Sequence, residues 1–429
     1  MTQTGIGRAA AILTLAALVP GGAGAAGTAL PIAAGTAPAA LRSIAMTGPE
    51  TLHPAAATAG FDRWIAGFRG RALAQGIRAE VFDRAFRGVA YDPAVIARDR
   101  NQSEFTKPIW DYLDSAVSDT RVANGKAALA ANRRVLERIE ARFGVDKEVV
   151  VAIWGLESAY GTHRGDTPLI GALASLAYDG RRGKFFEAQL VAALKIVQAG
   201  DVDPRAMTGS WAGAMGHTQF IPTSYLAHAV DFTGDGRRDI WSDDPTDALA
   251  STAAYLARSG WVTGQPWGVE VRLPAGFDYA LTGERVRKTA AEWAALGVRD
   301  AAGGRIADHG AASILMPAGA RGAAFMIFRN FQAIERYNAA DAYVIAVGHL
   351  ADRIRGGGPI RAGWPRGDRV LAAAERRELQ ERLTRAGFDT GGIDGRIGPN
   401  TIAAIRAFQR ARGMTPDGYA SLEILNRLR

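Results

Sequence analysis

Glu157 ends an apolar run, Ile153-Trp154-Gly155-Leu156-Glu157, and Ser158-Ala159-Tyr160-Gly161 follow it. On a helix, Val150, Ile153 and Trp154 lie on the same side as Glu157. A carboxyl in such surroundings resists ionisation, because desolvation disfavours the charged form. A raised pKa is what a general acid needs to protonate a glycosidic oxygen near neutral pH. The same residues also suit a surface acid that caps or pairs at a helix end.

Two further segments carry groups suited to holding a ligand. Gly209 to Tyr225 reads GSWAGAMGHTQFIPTSY. Its small residues permit close backbone approach to a ligand, and Ser210, Gln219 and Tyr225 offer hydrogen bonds. Downstream, Arg336-Tyr337-Asn338 is followed by Tyr343.

A fourth segment, Asp231-Phe232-Thr233-Gly234-Asp235-Gly236-Arg237-Arg238-Asp239, spaces oxygen ligands as an EF-hand loop does, with glycine at the sixth position. Asp231, Thr233 and Asp235 supply side-chain oxygens, and Arg237 holds the place from which such loops use a backbone carbonyl. A standard loop closes on a Glu where this chain has Ser242. By pattern alone, a solvated Asx turn fits nearly as well. No His/Glu spacing suggests zinc.

Helices must position these groups. Asp146 to Tyr160 reads as one helix, with Asp146 as N-cap, Val149, Val150, Ile153, Trp154 and Leu156 as its apolar face, and Gly161 as a stop. Further helical patterns cover Phe185–Ala199, Ala248–Ser259 and Ala340–Ile354, and Val269–Tyr279 reads as strand. Gly356-Gly357-Gly358-Pro359 breaks the pattern, so residues 356–368 read as a linker. A unit over 369–429 follows. Its helix patterns are centred on Leu379 and Leu383, on Ile405, Phe408 and Ala411, and on Leu422, Leu425 and Leu428. Pro399 suits the first turn of the middle one.

The three segments around Glu157, the Ser210–Gln219 loop and Tyr337-Asn338 together resemble the lytic murein transglycosylases of the membrane-bound lytic transglycosylase B family, over roughly residues 59–355. The resemblance implies a mainly α, lysozyme-like catalytic domain with small β elements. It implies cleavage of the bond between N-acetylmuramic acid and N-acetylglucosamine without water, leaving a 1,6-anhydro sugar. Glu157 would be acid and then base, and the substrate's N-acetyl group would take the place of a second carboxylate. By the same resemblance Ser210, Gln219 and Phe220 line the reacting sugar's site, and Tyr255, Tyr337, Asn338 and Tyr343 belong to the groove. Arg181 and Arg182 match a basic pair suited to muramyl carboxylates. His217 stands where the family commonly has Tyr. The family shares the Asp-rich loop, with Asp247 as the best match for its closing ligand and Asp243 as the rival, which implies a structural Ca²⁺. No cofactor is implied for the chemistry.

Leu379-Gln380, Asp394-Gly395, Phe408-Gln409 and Asp417-Gly418 recur at spacings that resemble a peptidoglycan-binding domain, expected as a three-helix bundle. Tethering it would raise the enzyme's effective concentration on an insoluble polymer.

Composition agrees with these expectations. The chain has 429 residues, 48% of them hydrophobic, and a net charge of +8. The C-terminal unit, with 11 Arg against 7 acidic residues, supplies +4 of that charge. A basic balance suits an acidic polymer, and the absence of a Lys/Arg-rich block argues against nucleic acid. With no cysteine, disulfides, thiolate sites, a Cys nucleophile and a lipid anchor on an N-terminal Cys are excluded. Arg8, the apolar run Ala9–Val19, Pro20 and Ala23-Gly24-Ala25 read as a secretory signal peptide over 1–25. Residues 26–58, rich in Ala, Thr, Gly and Pro, read as a spacer. The expectation is a periplasmic monomer with no stable membrane anchor, acting on peptidoglycan glycan strands. A water-using, lysozyme-like muramidase and a non-catalytic wall-binding scaffold are the alternatives.

Overall fold

The computed structural model describes residues 54–101 and 107–429; the signal peptide and nearly all of the spacer lie outside them. The first described helix, Pro54–Ala74, begins inside the expected spacer, so helical structure starts before residue 59. Among the described residues no helix is long and apolar enough to cross a membrane.

The architecture is mainly α. Its centre is the helix Lys147–Ser158, buried almost all round: Val149 to Trp154 are each at most 5% exposed. A helix apolar on every side must sit inside a larger assembly. Helices Asp119–Ala131, Arg133–Phe143, Thr246–Arg258 and Asp341–Arg355 surround it and share its core. A second core joins Leu169–Asp179 and Gly183–Ala199 to the N-terminal helices, through residues such as Phe61, Phe68, Leu173 and Leu190.

Asp146 precedes the central helix but does not cap it. The side chain makes no capping bond and instead accepts from Arg355 at 2.9 Å, while the Lys147 N–H donates to Glu140 at 3.1 Å. The helix at Thr246–Arg258 starts two residues before its expected boundary, and Gly183–Ala199 likewise.

A small antiparallel sheet orders Arg299–Asp300, Gly268–Arg272, Ala324–Ile327 and Ser313–Leu315 side by side, with Met326 opposite both Val269 and Ile314. The expected strand Val269–Tyr279 therefore ends at Arg272, and Tyr279–Leu281 is a 3₁₀ turn.

The C-terminal unit is a bundle of Ala373–Arg385, Pro399–Ala411 and Leu422–Leu428 around Leu379, Leu383, Ile405 and Phe408. Each Asp-Gly turn is latched by a helix glutamine. Gln380 donates to Asp394 at 3.0 Å and accepts from the Gly395 N–H at 2.7 Å. Gln409 does the same to Asp417 at 2.7 Å and Gly418 at 2.8 Å. The paired spacings in the sequence thus encode two copies of one local latch.

The segment 356–368 is not a free tether. Ile360, Ala362 and Trp364 pack on the central core. The N–H groups of Arg361 and Ala362 donate to Glu270, and Arg366 pairs with Asp114 at 2.6 Å. Asp417 accepts from the Ala320 N–H at 2.9 Å, which seats the bundle on the larger unit.

Candidate active site

Glu157 lies in the last turn of the central helix and lines a cavity of about 450 Å³ with Gly161, Arg164, Asp166, Ser210 and Gln219. Burial pushes its carboxyl up to about 7, against the opposing effect of a hydrogen bond from Tyr343. That bond runs from the Tyr343 hydroxyl to Glu157 Oε1 at 2.6 Å. No other carboxylate contributes to the shift. The group is therefore poised to be a proton donor near neutrality.

The chain leaves this helix through two non-glycine residues in the left-handed region, Ala159 (φ 49°) and Tyr160 (φ 60°). The third such residue among those described is Gln219 (φ 55°), also on the cavity. Strain gathered at one place is a mark of a site held in shape by its surroundings. Tyr160 folds back over the helix: its hydroxyl donates to the Arg121 carbonyl at 2.7 Å, and Arg121 donates to the Gly155 carbonyl at 2.5 Å. Gly155 is required there, since a Cβ would sit 2.5 Å from the Tyr160 ring.

The Gly209–Tyr225 loop forms the facing wall. Ser210 closes a tight turn with Ala214, donating its N–H to the Ala214 carbonyl at 2.8 Å and accepting the Ala214 N–H on Oγ at 3.0 Å. Gln219 donates to the carbonyls of Arg164 and Gly216 at 3.0 and 2.9 Å, tying the two cavity walls together. Two glycines of this loop are required by backbone packing. A Cβ at Gly209 would lie 2.1 Å from the Ala214 carbonyl oxygen, and one at Gly216 would lie 2.2 Å from that of Ile240. Tyr225 is fully buried, donating to the Arg238 carbonyl, so it is a strut and not a ligand group.

Behind Glu157 stands an aromatic cluster. Tyr337 donates to the Thr218 carbonyl and packs against Phe220 and Tyr255, with ring centres 5.8 and 5.0 Å away. Tyr255 donates to the Arg336 carbonyl at 2.7 Å and stacks on His228 at 4.0 Å. Phe220 is 2% exposed, so it supports this cluster from beneath. Asn338 accepts the Ala340 N–H at 3.1 Å just before the Tyr343 helix. Burial and then the charge of Glu157 hold the hydroxyls of both Tyr337 and Tyr343 well above the ordinary tyrosine range. Tyr112 is pushed up by the same two causes. Sequence reasoning missed it, for it stands in no motif.

His217 is buried behind the opposite wall. Its Nδ1 accepts from Trp154 Nε1 at 3.1 Å, which leaves Nε2–H to donate to the Ser242 carbonyl at 2.7 Å. Burial holds it below its ordinary pKa, and Arg164, 3.2 Å from Nε2, disfavours a second proton. It is thus a neutral strut between the acid helix and the Asp-rich loop.

Arg181 and Arg182 do not line the cavity. Both clamp Asp99, with contacts of 2.7 Å, and Asp99 is 1% exposed. Burial would push that carboxyl up, but the two guanidiniums outweigh it and hold it below its usual range. The cation that reaches the cavity is Arg164.

In the Asp-rich loop, oxygens of Asp231, Asp235 and Asp247 come within 4.8 Å of one another. Asp247 accepts the N–H groups of Phe232, Thr233 and Asp239, and burial raises its pKa. Thr233 Oγ1 donates to Asp231 at 3.2 Å, and the Arg237 N–H donates to Asp235 at 2.9 Å. Asp243, the rival, pairs with Arg164 at 2.7 Å. An all-oxygen set on a loop with left-handed glycines at 234 and 236 fits a hard divalent cation.

An acid at the end of a buried helix, tyrosines behind it and a glycine-threaded wall in front bring a protonatable carboxyl to a cavity open to a ligand. Comparison with known proteins agrees. Residues 60–352 match the transglycosylase SLT domain, and residues 372–428 match a peptidoglycan binding domain. The chain belongs to the SLT transglycosylase family, and its mainly α, lysozyme-like architecture with small sheets is that family's.

Membrane-bound lytic murein transglycosylase B of Escherichia coli (strain K12) is 32% identical over 250 residues, spanning 57% of this chain and 66% of the relative. The structure of SltB3 from Pseudomonas aeruginosa in complex with NAG-anhNAM-pentapeptide is 54% identical, with a TM-score of 0.83, covering 86% of this chain and 99% of that one. The Escherichia coli lytic transglycosylase SLT35 in complex with calcium is 28% identical, with a TM-score of 0.59, covering 70% and 94%.

Proposed function

We propose that this chain is an exported lytic transglycosylase that cleaves the β-1,4 bond between N-acetylmuramic acid and N-acetylglucosamine in peptidoglycan. Glu157 gives its proton to the departing N-acetylglucosamine oxygen as the bond to the muramic anomeric carbon breaks. The resulting carboxylate takes the proton of the muramic 6-hydroxyl as that oxygen bonds to the same carbon. Glu157 ends protonated, no water is consumed, and a 1,6-anhydro end results. The observation that carries this reading is the partly buried Glu157 carboxyl, lifted to about 7, with a tyrosine as its partner. A usual glycosidase needs a second carboxylate about 5–10 Å away; the other carboxylate on this cavity, Asp166, is exposed and takes no part in this reading. The anhydro sugar in the SltB3 complex supports the same outcome.

Ser210 and Gln219 contact the reacting sugar in this reading, and Tyr255, Tyr337, Asn338 and Tyr343 shape the groove behind it. A Ca²⁺ held by Asp231, Thr233, Asp235, the Arg237 carbonyl and Asp247 fixes the loop; its role is structural, in keeping with the calcium complex of SLT35. The signal-like N-terminus supports export to the periplasm, where the chain would act on the wall. The test is clearing of a sacculus suspension by wild type and by Glu157→Gln. Only the wild type clears it; equal clearing would remove Glu157 from the mechanism.

A further inference from the structure

The seam between the C-terminal bundle and the larger unit encloses a cavity of about 370 Å³. Ile109, Leu315 and Met316 wall it from one side, Leu371 and Ile402 from the other. Into this space the bundle also brings Arg376, Asp417 and the half-buried Arg406.

Arg406 is poorly compensated. Its hydrogen bond goes to the neutral Thr282 Oγ1, at 2.7 Å across the seam. Its Nε is buried with no partner. Asp417 is nearby but engaged: Oδ1 accepts from Gln409 and the Tyr419 N–H, and Oδ2 from the Ala320 N–H. Burial pulls the guanidinium below its usual range, and the attraction of Asp417 and Asp278 does not restore it. A half-buried guanidinium whose Nε has no partner, and whose nearest carboxylate is engaged elsewhere, is suited to an anionic ligand.

We propose that this seam cavity binds the free carboxylate end of a short peptide with small apolar side chains, Arg406 taking the carboxylate and the apolar walls taking the side chains. Peptidoglycan stem peptides belong to this class, and only that choice rests on the wall-directed reading above. Because the two walls come from different units, an occupied cavity would hold the bundle and the larger unit together around one strand's peptide.

The full-length chain is titrated calorimetrically with N-acetyl-D-alanyl-D-alanine and with its C-terminal amide. The acid binds saturably and about tenfold more tightly than the amide, as a charge-assisted bond to Arg406 requires. Arg406→Gln loses that preference while keeping a wild-type melting temperature. Ile402→Trp, which fills the cavity, weakens the acid and amide alike. Cleavage of peptide-free glycan strands, followed on the same preparations, stays unchanged in both variants and reports on the Glu157 site separately. Equal binding of acid and amide, absence of saturable binding, or an acid preference that survives Arg406→Gln overturns the proposal. If Arg406→Gln does not fold, the Ile402→Trp result decides.

Discussion

Tyr343 donates its hydroxyl to Glu157 across 186 residues of sequence, at 2.6 Å. The bond joins the two central helices at the reacting group. It also opposes burial, lowering the pKa that desolvation raises. Tyr343→Phe removes that opposition, so the Glu157 pKa rises further. Activity depends on the protonated carboxyl and is lost as pH rises through its pKa. The alkaline limb of the pH–rate profile, expected near 7 in the wild type, therefore moves up by about one unit in the variant. A limb that moves down or stays would separate Tyr343 from the acid's ionisation.

Glu157 also bears on stability. Its folded pKa is raised above its ordinary 4.5, so the folded state binds the proton more tightly than the unfolded chain. The resulting stabilisation is full below 4.5 and is lost as pH rises through about 7. Above that, an ionised carboxyl is being held in poor solvent. Glu157→Gln should therefore be more stable than wild type at alkaline pH, by at most about 3 kcal/mol, and show little gain in acid. Urea unfolding at two pH values measures the difference.

Gly155 controls the exit from the acid helix. Gly155→Ala places a methyl against Tyr160, the residue whose hydroxyl reaches the Arg121 carbonyl. The overpacking should cost about 1–3 kcal/mol in denaturant unfolding. Because Tyr160 fixes the turn after Glu157, turnover should fall beyond what the unfolded fraction explains.

Much of this was legible in advance, and the failures have physical causes. The acid helix could be read because a run apolar on all sides has one place to go. The wall-binding bundle could be read because its two Asp-Gly turns need a glutamine each. Asp146 was expected as a cap, but a cation from the distant Arg355 claimed it. Arg181 and Arg182 match the family's basic pair only by resemblance, and their bonds to the buried Asp99, 82 and 83 residues away, could not be read from the sequence. The linker looked free because its composition is permissive, yet Trp364 and the Glu270 contacts fasten it. Tyr343 carried no sequence sign of its bond to Glu157, since only tertiary packing brings them together.

The Asp231–Asp247 cluster gives a test independent of activity. Three carboxylates within 4.8 Å repel one another when no cation is bound. In metal-stripped protein, Ca²⁺ should raise the melting temperature, the mass-action gain being about 2.7 kcal/mol at a hundredfold excess over the dissociation constant. Asp247→Asn should abolish the response. An unchanged melting temperature in millimolar Ca²⁺ would count against the site.

The central claim is that Glu157 alone serves as acid and base and that no water enters the product. Mass spectrometry of sacculi digested by the full-length enzyme tests it most directly. The account predicts muropeptides with 1,6-anhydro-muramic ends, each lighter by one water than its hydrolysed counterpart. Products with reducing muramic ends and no anhydro species would contradict it and identify a hydrolase.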